Sequence, residues 1–269
     1  MRTLPLSPRT PPLTSHVASA SGLGRATIHN LISAGANISI LDLNASSGEA
    51  LVQELTPNRA RFFSTDVSST DSIATAVQGT LEWIQQTGRE LGGVIAAAGV
   101  STAAKIIDRN GDPLDMSGFD FVMSINVRGS VDLVRQVLPH LTQIEPEGPD
   151  GERGVIVLVS SSAAFDGQPG QVAYSASKGA LASLTLPLTR DLARYGIRVV
   201  TVAPSLFESG MTALMGEKVR KSLERVMEFP VRPGRPEEFA RVVREGVENS
   251  MLNGCVIRLD GGMRMPSKM

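Results

Sequence analysis

The chain has 269 residues and a mass of 28.5 kDa, with 42% hydrophobic and 20% charged residues and a net charge of −1. At this length about 70–75% of the unfolded surface can be buried, so one large domain needs no staple, and the single Cys255 can form no internal bridge. With 26 basic against 27 acidic residues and 4% aromatics, nucleic acid is excluded as an expected partner, and no apolar run approaches the ~20 residues of a membrane span.

Residues 1–16 carry Pro5, Pro8, Pro11 and Pro12, with Arg2 and Arg9 and no acid. They read as a disordered or atypical N-terminal segment, because closely spaced prolines oppose the amphipathic helix of a targeting peptide. From Val17 onward short β-branched runs alternate with helical stretches. Apolar residues recur at helical intervals over 25–34, and ANISILDL over 36–43 reads as the strand that follows. Further strands are predicted over 61–65, 93–98, 154–160, 197–203 and 255–259, each short, apolar and bounded by turn formers. The acid- and glycine-rich stretch EPEGPDGER over 145–153 reads as a solvated connection. Near-continuously apolar strands alternating with helices predict an α/β fold over 17–269. Its form is a single-domain, Rossmann-like, doubly wound parallel sheet with helices on both faces.

Two features suggest a dinucleotide. In Ser21-Gly22-Leu23-Gly24 the glycines let backbone approach a pyrophosphate at the positive end of the next helix, although such a turn alone is weak evidence. Asp42 stands 18 residues after Gly24, at the end of the second strand, where a carboxylate accepts both ribose hydroxyls and repels the extra phosphate of NADP. NAD is therefore the expected cofactor. Asp66, ending the third strand, reads either as a contact to the adenine edge or as a helix cap.

Ser161, Tyr174 and Lys178 carry the reactive chemistry. Tyr174 and Lys178 are four apart and share a helix face, while Ser161 ends a buried strand at the edge where such sheets bind ligands. Hydride transfer from a carbinol carbon needs a group that takes the hydroxyl proton. A free phenol, with a pKa of about 10, is a poor base near neutrality, and a neighbouring ammonium stabilises the phenolate. Ser161 would hydrogen-bond the substrate oxygen and position it.

The chain resembles the short-chain dehydrogenase/reductases from Val17 to the C-terminus. The likeness is carried by SGLGRAT (21–27), LDL (41–43), ERGVIV (152–157), AAFDGQPGQVAYSASKGA (163–180), TLPLTRDLARYGIRVVTVAP (185–204) and NGCVIRLDGGMRM (253–265). The resemblance implies Tyr174 as general acid/base, with Ser161 and Lys178 in the roles above and Asn126 relaying protons through water. It implies cofactor contacts at Leu23, Val67, Gly99, Pro204 and Ser209 as well as at the residues already named. It further implies 3-hydroxyacyl-CoA as substrate, a hydroxysteroid or other small alcohol being the alternative. Gln168 and Gln171 are candidate substrate contacts, 206–229 a lid, the assembly a homotetramer and the compartment mitochondrial, with the cytoplasm as alternative.

Departures from the family pattern gather at the cofactor end. The usual Thr-Gly-x-x-x-Gly-x-Gly falls on Val17, Ala18, Gly22 and Gly24, so the Thr and the first Gly are absent. The central strand is expected over 8–16, on prolines that cannot donate to a ladder, so it is predicted to be degraded or missing. Such a defect leaves open a non-catalytic member of the family, or a functional protein with a different N-terminus. The strand-end Asn motif is replaced by Ala96-Ala97-Ala98-Gly99, and Pro-Gly becomes Pro204-Ser205. The loop over 105–119 keeps Lys105 and Arg109 but has lost a lysine pair, which puts coenzyme A phosphate contacts there in doubt. His16, His29 and His140 are too scattered to suggest a metal, and none is expected.

Overall fold

A computed structural model describes residues 14–18, 22–56, 58–213, 223–224 and 226–265. In chain order these form β1 (Thr14–Ala18), α1 (Gly22–Ser33), β2 (Asn37–Asp42), α2 (Ala45–Glu54), β3 (Ala60–Ser64), α3 (Thr70–Thr87) and β4 (Glu90–Ala96). Then come α4 (Met116–Met123), a π-helical turn (Ser124–Gly129), α5 (Ser130–Leu141), β5 (Gly154–Val159), α6 (Val172–Leu192), β6 (Ile197–Pro204), α7 (Gly210–Ala213), α8 (Pro236–Glu248) and β7 (Cys255–Leu259). All seven strands lie parallel in the order β3-β2-β1-β4-β5-β6-β7. The order reverses between β1 and β4, which opens a crevice at their carboxyl ends.

Strand β5 shows why the sheet is covered on both sides. Val155, Val157 and Val159 pack with Ile28, Leu31 and Ile32 of α1 and Phe239 and Val243 of α8, while Ile156 and Leu158 join Ile73, Leu133 and Val137 of α3 and α5. Successive strand side chains face opposite ways, so a strand apolar at every position needs a helical layer on each face. The helices supply matching stripes, Ile28, Leu31 and Ile32 on α1 and Phe239, Ala240 and Val243 on α8, at three- and four-residue spacing. Local signals fix the helix ends. Ser69 caps α3 by accepting from Ser72 N, Gly88 ends it in the left-handed region, and Pro236 opens α8 at a position where no N–H is needed.

The expectation of a degraded or missing first strand is corrected. β1 occupies the centre of the sheet, pairing with β2 from Ser15↔Asn37 to Ala18↔Ile40 and with β4 from Thr14↔Glu90 to Val17↔Val94, with a register shift between Ser15 and His16. The reason is position: the strand starts beyond Pro12, and none of Thr14–Ala18 is proline, so every N–H is available to the ladder. The ordered domain thus takes in residues 14–16, which sequence reading assigned to the N-terminal segment. Residues 1–13, and with them the proline run, lie outside the described residues. No described helix is long and apolar enough to cross a membrane.

Candidate active site

Strand β5 ends in three serines, two of which brace the next helix. Ser160 Oγ donates to Lys178 O at 2.7 Å, and Ser161 Oγ accepts from Ala163 N at 3.1 Å while hydrogen-bonding the Tyr174 phenol. One helical turn separates Tyr174 from Lys178 on α6, and the ammonium lies 5.8 Å from the centre of the Tyr174 ring. Lys178 is only 5% exposed, and its Nζ donates to Val159 O at 2.8 Å. The three residues singled out from sequence therefore meet in space, and Lys178 is a buried cation rather than a surface charge.

The electrostatics differ from the simple expectation of a phenol made acidic by its neighbour. Burial pulls Lys178 down from 10.5 to about 8. Burial also pushes the Tyr174 phenol above its ordinary value, and the hydrogen bond with Ser161 offsets only part of that rise. Desolvation outweighs stabilisation of the phenolate at this site.

Asn126 is fully buried in the π turn between α4 and α5. Its Oδ1 accepts from Val100 N at 2.8 Å, and its Nδ2 donates to Val100 O and to Ser177 Oγ, both at 2.9 Å. Gly129 permits the turn, since a Cβ there would lie 2.6 Å from Val67 O. Gly99 leaves similar room: a Cβ there would lie 3.2 Å from Lys178 Nζ and 3.3 Å from Asn126 Oδ1. Val67 and Gly99, named for the cofactor, thus stand against the π turn and the Lys178 ammonium.

Several of the residues expected to hold a dinucleotide stand at the same carboxyl edge. Gly22 begins α1 with φ +51°, a conformation open to glycine, and Gly24 is buried in the first turn of the helix. A Cβ on Gly22 would meet Ser209 Cβ at 3.6 Å, so the start of α1 and the segment after β6 lie against each other. Leu23 packs into the core, and its carbonyl accepts from Thr27 Oγ1 at 2.8 Å. Ser21 lies outside the described residues. Asp42 is half-buried at the end of β2, with Oδ1 accepting from Asn44 N at 3.0 Å. Asp66 Oδ1 accepts from Ser68 Oγ at 2.7 Å and Ser68 N at 2.8 Å, bonds that hold its carboxyl below the usual range. It closes the turn before Ser69, which is the actual cap of α3. Pro204 ends β6 opposite Leu259, and Ser209 N donates to Thr212 Oγ1 at 2.9 Å. A helix N-terminus, a strand-end carboxylate and a Cβ-free cradle at Gly99 on one edge fit a dinucleotide.

On the substrate side Gln168 is buried and its Nε2 has no hydrogen-bond partner. The Gln171 side chain, by contrast, is engaged in its own loop, Oε1 accepting from Gln168 N at 2.9 Å. Its carbonyl end thus braces the loop. Ala104 N donates to Gly170 O at 2.9 Å, joining that loop to the one after β4, on which Lys105 and Arg109 are exposed. Residues 214–222 and 225 of the expected lid lie outside the described residues. His140 is exposed, His29 Nε2 lies 3.3 Å from Glu54, and among the described residues no group of three or more His, Cys, Asp or Glu is placed to hold a metal. Sequence reading missed Ser160 and Ser177. Their signal is adjacency to Ser161 and Lys178, since Lys178 lies 18 residues from Ser160 and Asn126 lies 51 from Ser177.

Residues 16–220 match the family described as short chain dehydrogenase. The chain is 42% identical over 247 residues to 3-hydroxyacyl-CoA dehydrogenase type-2 of Drosophila melanogaster, covering 91% of this chain and 94% of the relative. Against the Homo sapiens protein of the same name the identity is 41%, with 91% and 92% covered. The crystal structure of 3-hydroxyacyl-CoA dehydrogenase type-2 from Mycobacterium avium superposes with a TM-score of 0.87 at 37% identity, covering 95% of this chain and 97% of that one.

Proposed function

The chain belongs to the short-chain dehydrogenases, and from that premise we propose that it oxidises 3-hydroxyacyl-CoA to 3-oxoacyl-CoA with NAD, and catalyses the reverse reduction. The observation that carries the proposal is the cluster of buried Ser161 and Lys178 with half-buried Tyr174 at the carboxyl end of β5. Asp42 at the end of β2 favours NAD over NADP, because a second carboxylate-facing phosphate is repelled there. The acyl-CoA preference rests on the names of the relatives and on likeness along nearly the whole chain.

NAD would be held by the N-terminus of α1 at Gly22–Gly24, by Asp42, and by Gly99, Lys178 and Ser209 towards the nicotinamide. When bound, it supplies the hydride acceptor for the carbinol carbon or, reduced, the hydride donor. The protein supplies the rest. Tyr174, as the phenolate, takes the hydroxyl proton during oxidation and, as the phenol, returns it during reduction. Ser161 hydrogen-bonds the reacting oxygen and holds it against the phenol. Lys178, kept between Val159 O and the ring face, offers positive charge in a site with little water, where it is felt more strongly than in solvent. Asn126 holds the segment after β4 through Val100 and so keeps Gly99 beside the ammonium. The non-catalytic alternative loses its main support, a missing central strand, since β1 pairs on both sides.

Steady-state rates with acetoacetyl-CoA and NADH, set beside a ketosteroid, test the substrate reading. A higher kcat/KM on the thioester is expected, and the reverse order would transfer the proposal to hydroxysteroids. A homo-oligomer is proposed on the family likeness and on the exposed apolar side chains Met116 and Phe121 of α4 and Val131 of α5. Light scattering on the purified chain tests it. The mitochondrion is proposed as its compartment on the family likeness alone, and fractionation of cells tests that.

A further inference from the structure

Ser177 precedes Lys178 on α6 and is fully buried. Its hydroxyl has one proton, which is donated to Tyr174 O at 2.7 Å. Toward Asn126 it can therefore only accept, and it does so from Nδ2 at 2.9 Å. The second Nδ2 proton goes to Val100 O at 2.9 Å, and Oδ1 accepts from Val100 N at 2.8 Å. A carboxamide turned end for end would set oxygen against two acceptors and NH2 against a donor.

The orientation matters because Oδ1 does not face Val100 alone. Asn126 Oδ1 and Lys178 Nζ both lie within 3.3 Å of one point, the Cβ position that Gly99 leaves empty. A carboxamide that rocks about its axis moves its dipole against the ammonium. The other end of the same path is the backbone of Tyr174, so the π turn and the residue carrying the phenol are pinned by one hydroxyl.

We propose that Ser177 is a positioning residue: its hydroxyl fixes the Asn126 carboxamide beside the Lys178 ammonium and locks the π turn to the helix that carries Tyr174. The inference rests on the oxidoreductase reading for its effect on rate, and on the hydrogen-bond path alone for the orientation.

The test compares wild type, Ser177→Ala, Asn126→Ala and the double variant on acetoacetyl-CoA with NADH. Ser177→Ala is expected to lower kcat on the order of tenfold with KM within about twofold, and the double variant to equal Asn126→Ala alone, the non-additivity of groups acting as a unit. Ser177→Thr, which keeps the hydroxyl, is expected to recover most of the rate. Losses that multiply in the double variant, or a folded Ser177→Ala with wild-type kcat, overturn the proposal. If Ser177→Ala does not fold, Ser177→Cys, similar in size and a weaker hydrogen-bonding group, takes its place: a loss confined to kcat supports the proposal and an unchanged kcat overturns it. If wild type itself is inactive on this substrate, the substrate reading fails. Hydrogen exchange of the Asn126 side-chain amide then decides the orientation, faster in the variant if Ser177 holds it and equal if it does not.

Discussion

The carboxyl edge of the sheet is built differently on its two sides. On the β4–β5–β6 side the strands are buried on both faces almost throughout, and key polar groups of the site are enclosed and bonded: Asn126 to Val100 and Ser177, Lys178 Nζ to Val159 with its backbone oxygen held by Ser160. On the β1–β2 side the central strand has five residues and a register shift, Ala18 stands where the family has glycine, and Asp42 is only half-buried. Enclosed, bonded polar groups resist rearrangement more than a half-buried carboxylate at a strand end. Chemistry and cofactor affinity can therefore fail separately here.

The strongest challenge to that contrast is Tyr174→Phe. It removes the proton-transfer group from the well-built side and is expected to lower kcat about a thousandfold while the NAD dissociation constant stays within about twofold. Loss of NAD binding as well, read by protein fluorescence titration, would mean the two sides are not separable.

Lys178 gives a pH signature of the same enclosure. Its pKa is about 8 in the folded protein against 10.5 as the ordinary value, so the unfolded chain binds the additional proton between those limits. Folding stability of wild type relative to Lys178→Met should therefore rise as pH goes from 8 to 10.5 and be level below 8. Urea unfolding of both proteins across that range checks the sign, and a falling difference contradicts burial of the ammonium.

Asp42→Asn probes the other side. NAD affinity should weaken about tenfold, the equivalent of ~1.4 kcal/mol, and the preference over NADP should shrink, with kcat at saturating cofactor unchanged. Ala18→Gly sharpens the comparison at its mildest. If the turn after β1 is the weak point, restoring glycine tightens NAD about threefold, ~0.6 kcal/mol, and leaves the acetoacetyl-CoA KM alone.

Much of this was legible in the sequence for identifiable reasons. Strands such as Gly154–Val159 announce themselves because a parallel sheet covered on both faces demands apolar residues at every position. Tyr174, Lys178 and Ser161 were readable because helix spacing and strand ends are local. β1 was misplaced because proline excludes a strand only where it stands, and the strand begins just past the last one. The upward shift of the Tyr174 phenol and the depth of Lys178 depend on what other elements bring over them, which spacing does not encode. Asn126 presents an ordinary mid-helix polar residue until the π turn and partners 26 and 51 residues away are seen.

That π turn constrains how the gene can change length. Residues 116–141 form one continuous helical column in which a single extra residue is accommodated between Ser124 and Gly129. Dropping one residue there would restore regular winding and leave the flanking helices in register, because the widened turn absorbs the extra residue locally. Elsewhere in the column there is no such slack: each residue advances a helix by about 100°, so a deletion would turn one flank against the other and carry its hydrophobic stripe out of its layer. Codon loss in the rest of this column should be purged more strictly than loss in the exposed 145–150 stretch, which connects two finished elements.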